Sequence, residues 1–192
     1  MIDNIASQKL KSSIRLVACI ETALGLLNIR EIATADPRID ALLFAAEDYC
    51  SDTGVTRTAS RRELYYPRSV VATTAHAFGL QAIDMVCIAI HDKDVLVDEC
   101  KEGMEMGFTG KQVIHPGQVD TVQQMFLPSD AALLRAWRIV QGYKDCSASG
   151  KGVFDLDGHV IDLPLVRWAE GVLDKASRAG IDVEARFSNI KS

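Results

Sequence analysis

The chain alternates short apolar runs with segments of helical period. Residues 13–20 (SIRLVACI) predict a buried strand that delivers Glu21 at its carboxyl end. Residues 22–33 carry Leu24, Leu27, Ile29 and Ile32 at helical spacing, and Pro37 ends that segment. A second strand is predicted over 39–45, with Glu47 and Asp48 just past its end, and a polar, arginine-bearing loop follows over 49–62. Residues 69–78 are helical in pattern, with Gly79 placed to close the helix. A third strand is predicted over 82–90, with Asp84 near its start and His91-Asp92 at its end. A helix over 95–106 is stopped by Gly107, and a short fourth strand over 110–114 ends in His115-Pro116. Helices are predicted over about 118–126 and 129–144, the second with Ser129 as N-cap.

Repeated strand–helix units of this length imply right-handed crossovers and a parallel sheet, hence an α/β fold. Four such units are half of an eight-stranded barrel, which takes about 250 residues. An open doubly wound sheet fits the same pattern. The tail differs. Residues 152–162 (GVFDLDGHVID) centre on Asp157-Gly158, a type I′ hairpin signal. A helix over 165–178 follows, with Val166, Ala169, Val172, Leu173 and Ala176 on one face. Past Gly180 the period fades, and a frayed end is expected. The expected division is a partial barrel over 1–146 and a hairpin–helix appendage over 147–192, joined by small residues at 147–152.

Composition narrows the functional classes. With 192 residues, 48% hydrophobic and 24% charged, the chain has enough apolar content for a packed core. A net charge of −5 argues against a general nucleic-acid binder, which needs a basic face. The five cysteines are odd in number and form no CxxC, so reduced, mostly buried thiols in a reducing compartment are expected. No apolar run approaches the ~20 residues of a membrane span. Residues 1–4 show neither a secretory nor an arginine-rich leader; a soluble intracellular protein is expected, with mitochondrial and cytoplasmic placement both open.

In parallel α/β architectures, functional groups collect at the carboxyl ends of strands. Glu21, the Glu47-Asp48 pair and His115 occupy such positions. Carboxylates from adjacent strand ends suit Mg²⁺, which takes one or two of them and fills its octahedron with water and substrate oxygens. Histidines and cysteines do not cluster at zinc-ligand spacing. Simpler roles exist for each acid: Glu21 beside a helix N-terminus, Asp48 in a turn, Asp162 as a helix cap before Pro164. His115-Pro116 can simply shape a strand end. Arg57, Arg61, Arg62 and Arg68 read as a solvated basic cluster or as partners for phosphates. Trp137 and Trp168 read as packing residues.

Six strings in register carry a resemblance. Ala18-Cys19-Ile20-Glu21-Thr22 and Leu43-Phe44-Ala45-Ala46-Glu47-Asp48 resemble the two acidic metal motifs of the HpcH/HpaI aldolase and citrate lyase beta-like family. The resemblance continues through Tyr66-Pro67-Arg68-Ser69, Gly79-Leu80-Gln81-Ala82-Ile83-Asp84 and the segment 107–116 (GFTGKQVIHP), and ends at 158–164 (GHVIDLP). It implies a partial TIM (β/α)₈ barrel of about four βα units, the carboxy-terminal half of the family's length. By position it implies Glu21 and Asp48 as the protein ligands of Mg²⁺, with Glu21 also at the substrate, and a place for His115 near the CoA moiety. Asp162 matches the family's catalytic aspartate, which in these homotrimeric lyases reaches a neighbouring subunit's site.

The implied reaction cleaves a 3-hydroxyacyl-CoA of citramalyl, malyl or citryl type to acetyl-CoA and a 2-oxo acid. Ala45-Ala46 departs from the family's glycine-containing sequence, and the strands that would supply a substrate-binding arginine fall outside the matching part. A truncated non-catalytic paralogue associating with a full-length subunit, and a metal aldolase acting on free oxo acids, are the alternatives.

Overall fold

The computed structural model describes residues 14–148 and 154–187, in two compact units divided between Phe126 and Leu127. The first unit opens with β1 (Leu16–Ile20), α1 (Ala23–Leu27), α2 (Ile29–Ala33) and β2 (Ile39–Phe44). It continues with α3 (Ala46–Thr53), α4 (Tyr65–Ala77), β3 (Gln81–Asp84), α5 (Lys93–Glu105), β4 (Gly110–Lys111) and α6 (Val119–Phe126). Its four strands form one parallel sheet in the order β1-β2-β3-β4, as the repeated βα pattern predicts.

Among the described residues, helices cover one face of the sheet. Ile20, Leu42, Phe44 and Ala82 pack there with Leu26 of α1, Val71, Ala72 and Ala75 of α4, and Leu96 and Cys100 of α5. Strand alternation turns Val17 and Cys19 to the other face. There Val17 is 55% exposed, and Cys19 is exposed too, unlike the buried thiol expected from its apolar run.

Several boundaries differ from the sequence pattern, each for a local reason. The helix expected over 22–33 breaks at Asn28, whose φ and ψ (−100°, 17°) leave the helical region. Helix α4 begins at Tyr65, four residues early, because Pro67 falls in the first turn, where a missing N–H costs nothing. Strands β3 and β4 stop at Asp84 and Lys111, short of the expected 90 and 114. Beyond them, the backbone groups are satisfied by a side chain instead of a ladder: the Gln118 amide donates to Cys87 O (2.9 Å) and accepts from Ile114 N (3.1 Å). Ser13, at the start of the first predicted strand, lies outside the described residues.

Beneath the sheet runs a buried chain of charges. Asp84, at the end of β3, and Arg68 of α4 are both fully buried. Arg68 grips Asp84 with two hydrogen bonds, Nε to Oδ1 (3.0 Å) and Nη2 to Oδ2 (2.8 Å), and gives Nη1 to Glu102 (2.7 Å). Lys111 of β4 adds positive charge, its Nζ 3.9 Å from Asp84 and 2.8 Å from Glu99. The Lys111–Glu99 contact is off the hydrogen-bonding direction and is coulombic in nature. These charges fit because α5 presents Gly103 at the closest point: a Cβ there would stand 2.7 Å from Asp84 Oδ2.

The second unit contains α7 (Asp130–Ala148), β5 (Phe154–Leu156), β6 (His159–Ile161), α8 (Leu163–Arg178) and α9 (Val183–Phe187). Ser129 caps α7 as expected, its hydroxyl accepting from Ala132 N (3.2 Å). Helix α7 packs on α8 through Leu133, Ala136, Ile139, Val166, Ala169 and Ala176. For that reason the division falls before α7, and the expected boundary at 146/147 lies near that helix's end. The hairpin turns at Asp157 and Gly158, both at positive φ (54° and 79°), as a type I′ turn requires. Residues 149–152 of the expected linker, and the first two of the hairpin segment, lie outside the described residues.

The expected frayed end is instead helix α9 as far as Phe187, with Val183 and Phe187 buried against α7. Trp137 packs there too, whereas Trp168 is 42% exposed and lies under the Arg135 guanidinium (5.6 Å) rather than in the core. Among the described residues no helix is long and apolar enough to cross a membrane.

Gly103→Ala should test the fit at Asp84. Alanine in a helix interior ordinarily gains about 1 kcal/mol over glycine. Here the pinned Asp84 carboxylate cannot retreat, and overpacking of this kind costs about 1–3 kcal/mol. A net loss of stability in urea denaturation is expected; a net gain would show that the contact relaxes.

Candidate active site

Two strand ends meet at the candidate site. Ala45 N donates to Ile20 O (3.1 Å), holding the end of β2 beside that of β1. Glu21 therefore follows β1 where Glu47 and Asp48 open the first turn of α3, a position in which the helix dipole favours acids. Ala23 N donates to Asp52 Oδ2 (2.8 Å), tying the start of α1 to α3. Glu21, Glu47 and Asp48 line one open cavity of about 190 Å³, together with Cys19, Val86 and Gln112.

The charges in this cavity are unevenly compensated. Glu47 receives a hydrogen bond from Arg57 Nη1 (2.5 Å). Among the described residues, Glu21 and Asp48 have no cationic partner. Their field reaches Cys19, whose thiol pKa is pushed up by burial and then by the two carboxylates. Among the described residues, no group of three or more histidines, cysteines or acids is placed to hold a metal ion. Two uncompensated carboxylates with open space before them match the protein share of a Mg²⁺ site, which leaves the remaining positions to water and substrate oxygens.

The other candidate residues have different surroundings. His115 does not line this cavity. Its Nδ1 accepts from Gly117 N (3.1 Å), capping a short 3₁₀ turn at Pro116–Gln118, and its ring meets His91 edge-on at 6.2 Å. Asp162, in the second unit, is exposed and caps α8, with Oδ1 accepting from Leu165 N (3.2 Å).

A sequence model of the HpcH/HpaI aldolase/citrate lyase family matches residues 5–116. The mitochondrial citramalyl-CoA lyase of Rattus norvegicus is 36% identical over 182 residues, covering 91% of this chain and 54% of that protein. The chain belongs to the HpcH/HpaI aldolase/citrate lyase family. Citrate lyase subunit beta of Leuconostoc mesenteroides subsp. cremoris is 32% identical over 84% of this chain and 54% of its own length. The protein CitE of Mycobacterium tuberculosis, solved with magnesium, acetoacetate and coenzyme A, superposes with a TM-score of 0.71 at 31% identity. That match covers 85% of this chain and 61% of CitE. The chain thus spans about half the length of the curated relatives it matches, and it shares the α/β fold of the solved structures.

Within this family member, three of the four arginines expected to be solvated are not. Arg68 is fully buried, Arg61 is buried, and the Arg57 side chain is 9% exposed; Arg62 alone stays in solvent. Their charge is spent on acids: Arg57 on Glu47 and Glu99, Arg61 on Asp98 and Glu102, Arg68 on Asp84 and Glu102. A second cavity of about 490 Å³ shows the result, with Arg57 and Arg61 facing Asp92, Asp94, Asp98 and Glu99. Its surplus of acids does not favour phosphate.

Sequence reasoning passed over Asp98, Glu99 and Glu102, which complete this network, although one signal was present. Glu99 shares the buried face of α5 with Leu96, Cys100 and Gly103, and a charge at a core position implies a buried partner.

The network has a pH signature. Burial opposes ionisation of Glu102, but hydrogen bonds from Arg68 and Arg61 outweigh it and hold the carboxyl below its ordinary 4.5. A depressed carboxyl contributes stability in full above 4.5 and loses it as pH falls through the lower folded-state value. The gap in urea midpoint between the protein and Glu102→Gln should therefore be widest near neutrality and shrink as pH falls below the ordinary 4.5 and through the lower folded-state value. A gap independent of pH would leave Glu102 only a packing role.

Proposed function

We propose that this chain is the metal-binding, carboxy-terminal part of a Mg²⁺-dependent carbon–carbon lyase. Its substrate is a 3-hydroxyacyl-CoA of citramalyl, malyl or citryl type, and its products are acetyl-CoA and a 2-oxo acid. The four-stranded sheet is read as half of an eight-stranded barrel, with the exposed face bearing Val17 and Cys19 turned to the interior. The observation that carries the reading is the pair of uncompensated carboxylates, Glu21 and Asp48, at adjoining strand ends in one cavity. The relatives support it by their names: a citramalyl-CoA lyase, a citrate lyase subunit, and a CitE bound to magnesium, acetoacetate and coenzyme A.

When bound, Mg²⁺ supplies Lewis-acid polarisation of the oxo-acid oxygen and neutralises the carboxylates that hold it. Glu21 and Asp48 would hold the ion and thereby orient the substrate's hydroxyl and adjacent carboxylate. In cleavage the hydroxyl proton leaves, the hydroxyl carbon becomes the oxo carbon, and the carbon–carbon bond breaks. The electron pair moves to the thioester α-carbon, which must then take up a proton. Asp162 is the proposed proton carrier, taking up the hydroxyl proton and delivering a proton to the α-carbon; it is presented at the edge of the hairpin and the start of α8, and acts in a neighbouring subunit of a trimer.

The test is Mg²⁺-dependent release of acetyl-CoA from the three CoA esters, by the chain alone and mixed with a full-length citramalyl-CoA lyase inactivated at its own metal site. Turnover of one ester is expected, lost by roughly 10²–10⁴-fold in Glu21→Gln, Asp48→Asn and Asp162→Asn. Only Asp162→Asn should keep Mg²⁺ affinity. Cleavage of the free acids instead would favour an aldolase without CoA. No turnover in either format would favour a non-catalytic subunit.

A further inference from the structure

The Arg57 guanidinium reaches both the cavity wall and the buried network. Nη1 donates to Glu47 Oε1 (2.5 Å), while Nη2 donates to Val86 O (3.1 Å) and to Glu99 Oε1 (2.8 Å). Glu47 and Val86 both line the cavity that holds Glu21 and Asp48. Glu99 is almost fully buried and is shared with Lys111. One end of Arg57 is thus fixed in the network beneath the sheet, and the other fixes the acid next in sequence to Asp48.

We propose that Arg57 is a positioning residue that holds Glu47 out of the coordination sphere of the divalent ion, an inference that rests on the metal reading of Glu21 and Asp48. The charge balance explains why such a clamp matters. Two carboxylates around a divalent ion sum to zero formal charge, which leaves the site able to accept an anionic oxo acid. A third carboxylate would make the site net negative, fill an open position and tighten the ion at the substrate's expense. Glu47 is half exposed and lines the same cavity as Asp48, so its rotamer bears on whether its carboxylate reaches the ion. The guanidinium serves Glu47 and Glu99 from two separate nitrogens of one planar fork, whereas an ammonium would have to reach both from a single nitrogen.

Mn²⁺ is the probe, because its paramagnetism reports both affinity and the number of exchangeable waters on the ion. The 192-residue chain should bind one Mn²⁺ with several exchangeable waters, and Glu47→Gln should leave both within about twofold. Arg57→Ala frees Glu47: affinity should rise by about tenfold, the effect of adding a charged ligand, with fewer exchangeable waters and weaker pyruvate binding to the Mn²⁺ form. Arg57→Lys, which keeps a cation beside Glu99, should show the same direction should Arg57→Ala not fold. Adding Glu47→Gln to either variant should restore the wild-type affinity and water number, which a purely structural role of Arg57 would not produce.

Unchanged waters and affinity in the Arg57 variants overturn the clamp alone, as does a tenfold loss in Glu47→Gln, which would make Glu47 a ligand already. Absence of Mn²⁺ binding to the wild type, or binding indifferent to Glu21→Gln and Asp48→Asn, overturns the metal reading together with the clamp.

Discussion

A carboxylate at the fully buried end of β3 is the constraint on which the first unit depends. A carboxylate in such a place needs close partners, and removing one member of a buried pair costs about 3–5 kcal/mol. Arg68 supplies the partner in two-pronged geometry, and the rest follows from room and charge. Helix α5 must present a glycine at position 103. Glu102 must take the third arm of Arg68. Phe108 closes over the guanidinium at 5.7 Å. The pair joins α4 to β3 and, through Glu102, to α5 at fixed distances, more specific than apolar packing alone would provide.

From that anchor the charge alternation continues to the cavity. Lys111 approaches both Asp84 and Glu99, Glu99 receives Arg57, and Arg57 holds Glu47. The face of the sheet that packs on helices therefore bears on its strand ends, where Glu21 and Asp48 stand without cations among the described residues. Each acid of the buried network, by contrast, has a cation. Gln118 has the matching role for the backbone, tying the loops after β3 and β4 by their Cys87 and Ile114 groups.

The periodicity of the chain made the strand order and most helices legible, because parallel strands buried beneath helices read as continuous apolar runs. Glu21 and Asp48 were legible as acids at strand ends. Charge is less legible than period. Arg57, Arg61 and Arg68 look like a basic loop and helix start, and only the fold reveals that Asp84, Glu99 and Glu102 come from distant segments to meet them. Strand ends were overestimated for a related reason: Met85 and Cys87 are buried, yet no ladder pairs them, so apolar character outran strand. Helix α9 was missed because a five-residue helix gives too short a window for period; its burial of Val183 and Phe187 decides it.

The most direct test of the account is where a divalent ion lands. Crystals of the chain soaked in Mn²⁺, measured for anomalous scattering, should show one site with oxygens of both Glu21 and Asp48 about 2.1–2.2 Å from the ion, in near-octahedral geometry. Glu47 should remain on Arg57 in the same map. An ion held by Glu47, or bound away from the Glu21–Asp48 cavity, would contradict the account.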